Sequence, residues 1–127
     1  MNKPEDLPFK TILLIDSTDR EQTCLALVRQ SGGKKYCVAE RAQELPKIIE
    51  TLLNNEQITN KNLDAIAVIT SGGSLTGMRI GVAVTNTLAW KWRLPVIPVD
   101  EQGFDQAINK LSVDRFPEAT RAITDVD

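Results

Sequence analysis

The stretch from Leu63 to Trp90 constrains this chain more than any other. It reads as an apolar run, Ala65-Ile-Ala-Val-Ile69, then the turn Ser71-Gly-Gly-Ser74, then a long proline-free segment from Leu75 to Trp90. A short run rich in branched residues suits a strand covered on both faces. Gly72 and Gly73 open backbone conformations that a side chain forbids. Ser74 or Thr76 can cap the following helix by accepting from the free N–H groups of its first turn. Within that helix Gly77, Gly81, Thr85 and Ala89 recur every four residues and form a flat ridge along which another backbone can approach. Each interior glycine costs about 1 kcal/mol relative to alanine, so two of them point to a packing reason.

The remaining elements follow in order. Residues 1–10 read as a loose lead-in. Thr11-Ile-Leu-Leu-Ile15 is a strand that ends at Asp16, and Thr23-Cys-Leu-Ala-Leu-Val28 is a second one. Ser31-Gly-Gly-Lys34 is expected to be a hairpin turn, leading into an edge strand over Lys35–Glu40. Leu45, Ile48, Ile49, Leu52 and Leu53 have the spacing of an amphipathic helix, which Pro46 restricts to a start near Glu44. Thr59 is a candidate cap in the connection that follows. Pro95–Val99 is a fifth strand ending at Asp100, and Phe104, Ala107, Ile108 and Leu111 mark a last helix. The folded unit is expected over residues 11–111, with a tail over 112–127.

The order β-β-β-α-β-α-β-α, an antiparallel meander followed by crossovers, predicts an α/β fold. It is that of a single actin-like lobe (the ASKHA, ribonuclease H-like class) with a mixed five-stranded sheet.

Composition narrows the function. The chain has 127 residues, no histidine and a formal net charge of −2. A near-neutral charge argues against a free-standing nucleic-acid binder. Lacking histidine, the chain lacks the commonest general base and zinc ligand and any Ser-His-Asp triad. No run of eighteen apolar residues occurs and Met1–Asp6 is no signal peptide, so no membrane contact and a cytoplasmic location are expected. Cys24 and Cys37 fit no metal spacing and read as two buried thiols ahead of a disulfide.

Leu63-Asp-Ala-Ile-Ala-Val68 followed by Gly73-Ser-Leu-Thr-Gly-Met-Arg-Ile-Gly81 resembles the signature of the TsaB (YeaZ) family, L-D-A-I-A-V then G-P-G-S-F-T-G-L-R-I-G. Ile12–Asp16 and the Leu45–Leu53 helix also fall where that family places its first strand and first helix. The chain departs from the pattern at Ser71 and Gly72, which replace a glycine and a proline, and at Ser17-Thr18-Asp19, where the family has Thr-Ser-Thr. The family carries a second lobe beyond the segment matching Asp100, whereas 27 residues follow Asp100 here. A truncated, one-lobed version is therefore expected. The resemblance implies a non-catalytic subunit in the synthesis of threonylcarbamoyladenosine, the modified base beside the anticodon. It also implies a homodimer, or a heterodimer with TsaD, the homologous two-lobed protein that carries the metal and the transfer chemistry. Contact with tRNA is then indirect, with no metal or cofactor of the chain's own beyond a nucleotide at the partner interface.

The individual residues admit plainer readings alongside these. The Ser71–Ser74 turn lacks the lysine and spacing of a phosphate loop and serves equally as a tight strand-to-helix connection. As a site, Asp16, Gly72, Gly73 and Ser74 would meet an anion or nucleotide. Asp16 alone reads as a turn-capping carboxylate, and Asp100 likewise. Arg79 sits against the helix dipole, which an ion pair with Asp64 or Glu44, or a role across an interface, would explain. The long helix is apolar on nearly every face, so a partner is expected to cover part of it. The interface would use Gly77, Met78, Gly81, Val84, Thr85 and Leu88, with Ile49 and Leu52 of the first helix. Two chains would then build a four-helix contact. The competing function is enzymatic, an actin-like phosphotransferase or peptidase remnant working through Asp16 and the Ser71–Ser74 turn.

Overall fold

A computed structural model describes residues 10–29, 31–100 and 103–113. Five strands form one mixed sheet: β1 (Ile12–Asp16), β2 (Thr23–Arg29), β3 (Gly32–Val38), β4 (Ala65–Ile69) and β5 (Val96–Val99). Their spatial order is β3-β2-β1-β4-β5. The first three strands pair antiparallel, whereas β4 lies parallel to both β1 and β5. Three helices, α1 (Leu45–Asn55), α2 (Leu75–Trp92) and α3 (Phe104–Val113), complete the fold. The element sequence β-β-β-α-β-α-β-α is the one expected from the sequence. Helix α3 extends two residues past Leu111, so the proposed tail from 114 onward lies outside the described residues, as do residues 1–9 of the lead-in.

Alternation along the strands explains the two-sided burial. Leu13, Ile15, Leu25, Leu27, Ile66 and Val68 point to one face and pack beneath α1 and α2. Ile12, Leu14, Ala26, Val28, Ala65 and Ala67 point to the other, where Ala107 and Leu111 of α3 cover part of it. Every residue of β4 is buried, as its unbroken apolar run requires. Helix α1 begins with Pro46 in its first turn, where a missing N–H leaves no bond unmade, and turns Leu45, Ile48, Ile49, Leu52 and Leu53 inward. Thr59 caps the short 3-10 turn Asn60–Asn62: its hydroxyl accepts from the Lys61 N–H, and its own N–H donates to Asn62 Oδ1.

Two expectations about the meander need correction. The hairpin lies earlier than Ser31–Lys34, because Gly32 pairs with Arg29, Gly33 with Val28 and Lys34 with Leu27. The strand β3 accordingly takes in both glycines and ends at Val38 rather than Glu40. Ile108 of α3 lies where a Cβ on Gly33 would project, so the glycine lets α3 close on the strand. The cysteines, read as two buried thiols, are instead a disulfide. Cys24 and Cys37 stand opposite each other in the β2–β3 register with Cα atoms 4.1 Å apart, and their sulfurs are joined. The two-residue shift in where the hairpin turns decides which residue faces Cys24, and register is a property of the pairing rather than of either strand alone.

Candidate functional site

The carboxyl ends of β1 and β4 open onto the same edge of the lobe. From β1 the chain turns through Ser17-Thr18-Asp19, and from β4 through Ser71-Gly72-Gly73-Ser74, and the two turns are bonded to each other. The Ser74 N–H donates to the Thr18 carbonyl at 2.6 Å. The Ser17 hydroxyl donates to the Gly77 carbonyl at 2.8 Å. Gly73 has φ of +61°, in the left-handed region, and a Cβ there would run into the Thr18 backbone. Ser74 serves as the N-cap of α2, its Oγ accepting from the Gly77 N–H at 3.3 Å. Between the two candidate caps the backbone therefore selects Ser74.

The ridge of small residues on α2 faces inward. A Cβ on Gly77 would collide with the Ser17 carbonyl, and one on Gly81 with the Ser17 hydroxyl. Thr85 and Ala89 continue the same stripe and are buried at 0% and 2% exposure. The approaching backbone is thus the chain's own β1–β2 turn, not a partner's. Met78, Ile49 and Leu52 are likewise sealed within the core beneath the helices, so five of the eight residues assigned to an interface present no surface: Ile49, Leu52, Met78, Gly81 and Thr85. Gly77, Val84 and Leu88 are only partly covered. Thr85 adds a cost to this arrangement, because its Oγ1 is buried without a hydrogen-bond partner.

The outer face of α2 is a different surface. Leu75 is 47% exposed and Trp90 83%, and these are the large hydrophobic side chains left open among the described residues. Arg79 and Ala83 lie between them on the same exposed side. Sequence reading passed over Leu75 and Trp90, because an apolar helix shows its period only weakly and either residue could have been core.

Asp16 does not stand alone at the end of β1. Its Oδ1 accepts from both the Thr18 N–H at 3.0 Å and the Thr18 hydroxyl at 2.6 Å, the turn-capping arrangement. Asp64 holds the entrance to β1: its Oδ2 accepts from the N–H groups of Lys10 and Thr11 at 2.7 and 2.9 Å. Beside the paired turns lies a cleft of about 320 Å³. Its walls are Ser17, Asp19 and Arg20 from the β1–β2 turn, Arg41 to Gln43 from the segment after β3, and Ser74, Thr76, Gly77 and Ile80 from the start of α2. Of the four residues suggested for an anion, Ser74 lines this cleft, whereas Asp16 is occupied by Thr18 and Gly73 packs on the Thr18 backbone. Among the described residues, no group of three or more His, Cys, Asp or Glu side chains is placed to hold a metal ion, and no helix is long and apolar enough to cross a membrane.

A mixed sheet opened by an antiparallel meander, with two helices on one face and the turn–turn contact at its carboxyl edge, defines the chain as an actin-like lobe. The family model described as "TsaD: tRNA N6-adenosine threonylcarbamoyltransferase" matches residues 27–117. The chain belongs to this family, and it is similar both to its transferases and to TsaB (YeaZ) proteins of tRNA threonylcarbamoyladenosine biosynthesis. It is 37% identical over 95 residues to the TsaB protein of Haemophilus influenzae, covering 70% of this chain and 39% of that protein. It is also 36% identical over 97 residues to a probable mitochondrial tRNA N6-adenosine threonylcarbamoyltransferase of Caenorhabditis elegans, covering 72% of this chain and 23% of that one. The solved structure of YeaZ from Pseudomonas aeruginosa superposes with a TM-score of 0.63 at 28% identity, over 71% of this chain and 43% of that one. The chain thus spans less than half the length of these relatives.

Proposed function

We propose that this lobe is a non-catalytic docking subunit of tRNA threonylcarbamoyladenosine biosynthesis, which works in the cytoplasm by pairing with a TsaD-type protein or with a second copy of itself. The observation that carries this reading is the division of labour on α2. Its small-residue face is consumed by the chain's own β1–β2 turn, whereas Leu75 and Trp90 stay open to solvent on the opposite side. Exposed tryptophan is a frequent anchor of protein interfaces, because it buries a large rigid surface at little entropic cost. Val84 and Leu88 are partly covered and pack against the core with Met78, Ile49 and Leu52, and together with Gly77, Gly81 and Thr85 they seat the helix that presents this surface. Contact with tRNA is made through the partner. The similarity to named TsaB proteins on one side and transferases on the other supports a place in this pathway.

Sedimentation velocity of the purified chain, alone and mixed with a TsaD-type protein from the same source, tests the proposal. A stable dimer or complex is expected. A strict monomer that ignores the TsaD-type protein and hydrolyses ATP would overturn it in favour of an enzyme.

A further inference from the structure

The Cys24–Cys37 disulfide occupies a position that the docking reading leaves unused. It joins β2 to β3, the edge strand whose ladder neighbour is β2. On the same rung Cys24 pairs with Asp16 of β1, so the bond lies at the end of the sheet from which the β1–β2 turn departs. One residue after Cys37 the strand ends, and the chain passes through Ala39 and Glu40 into Arg41–Gln43, the second wall of the cleft. Past the strand, Ala42 (6% exposed) anchors the wall within the 3-10 turn Ala42–Glu44, so what the disulfide shares is the hold on the strand's exit. The Thr23–Val38 rung holds it too, along with the Thr23 hydroxyl, which donates to the Glu40 carbonyl at 2.9 Å. The two sulfurs differ in access: Cys24 is 7% exposed, whereas Cys37 is open to solvent.

We propose that Cys24–Cys37 is a thiol–disulfide exchange site that tethers the Arg41–Gln43 wall of the cleft, with Cys37 as the sulfur attacked. The inference rests on the register and exposure of the pair and is independent of the α2 docking surface. A thiolate of a dithiol reductant attacks Cys37 Sγ, the S–S bond breaks, and its electron pair leaves on the Cys24 sulfur, which takes up a proton. The reductant's second thiolate then attacks the mixed disulfide, freeing Cys37 as a thiolate that is protonated in turn. The reductant departs as its own disulfide, so two electrons and two protons reach the protein. In a reducing compartment such a bond is transient and sensing rather than structural. Once it opens, the Thr23–Val38 rung and the Thr23–Glu40 hydrogen bond alone join the strand's end to the Ala42 anchor of the wall, and strand ends of this kind open locally at low cost.

The test compares the oxidised and reduced wild-type chain in buffers of graded reduced and oxidised dithiothreitol, with thiols trapped by alkylation. Cys24 and Cys37 are expected to become alkylatable together in one two-electron transition. Amide hydrogen exchange over Val38–Glu44 should quicken several-fold on reduction while β4 and α2 stay unchanged. Unaltered exchange over Val38–Glu44, or thiols that stay reduced even in excess oxidised dithiothreitol, would overturn the proposal. The attack site is read from single variants: Cys24→Ser should form a mixed disulfide with glutathione at Cys37 about tenfold faster than Cys37→Ser does at Cys24. Equal rates would remove the assignment to Cys37. Should either variant fail to fold, the wild-type exchange comparison decides the tether by itself.

Discussion

The Ser17 hydroxyl donates a 2.8 Å hydrogen bond to the Gly77 carbonyl, sixty residues away in sequence, and fills the notch between Gly77 and Gly81. This contact gives the GxxxG spacing of α2 its purpose. The notch admits a turn of the same chain close enough for the β1–β2 and β4–α2 connections to bond directly. The cleft forms against that junction, so the packing of two glycines positions the site as well as the helix.

Filling the notch should destabilise the fold rather than weaken association. Gly77→Ala meets a backbone carbonyl that has nowhere to move, whereas Gly81→Ala meets a hydroxyl that can rotate. Overpacking costs about 1–3 kcal/mol, against about 1 kcal/mol returned by helix propensity. Urea denaturation should therefore rank Gly77→Ala below Gly81→Ala, and Ser17→Gly should relieve part of the Gly81→Ala penalty. Independent, additive effects of Ser17→Gly and Gly81→Ala would show that the notch is not shared.

At Gly73 the strain is conformational as well as steric. A φ of +61° costs an L-residue about 1–2 kcal/mol, and the new methyl would strike Thr18. Gly73→Ala should lower the free energy of unfolding by at least that much, read as a lower denaturation midpoint at unchanged slope. A midpoint equal to wild type would mean that the turn adopts another conformation.

Thr85→Val should stabilise the protein. The Thr85 hydroxyl is fully buried and unpartnered, and a buried polar group without a hydrogen bond costs about 1–3 kcal/mol. Valine keeps the branched shape and removes the polar atom, so thermal unfolding should move upward by several degrees. A fall would show that the hydroxyl has a bonding role in solution.

The double variant Leu75→Glu/Trp90→Glu probes the outer face of α2. Both side chains are exposed, so stability should change by no more than about 0.5 kcal/mol. Association measured by sedimentation should nevertheless be lost. Undiminished association in the folded variant would move the docking surface elsewhere.

The elements of this fold were legible because each has a local physical cause. Branched apolar residues at Ala65–Ile69 specify a strand covered on both sides, the spacing Leu45–Ile48–Ile49–Leu52 specifies an amphipathic helix, and Gly72-Gly73-Ser74 specifies a turn followed by a cap. The order of those elements, with the Leu63–Gly81 signature, was enough to place the family. What the sequence left open was direction and register. A ridge of Gly77, Gly81, Thr85 and Ala89 suits a partner's backbone as well as the chain's own turn, and only the arrival of Ser17 from β1 settles which one fills it. Trp90 and Leu75 could not be told from core in a helix apolar on most sides, because exposure depends on what packs there. The union of Cys24 with Cys37 follows from where the β2–β3 ladder closes, since a shift of one rung would have turned the two sulfurs to opposite faces of the sheet.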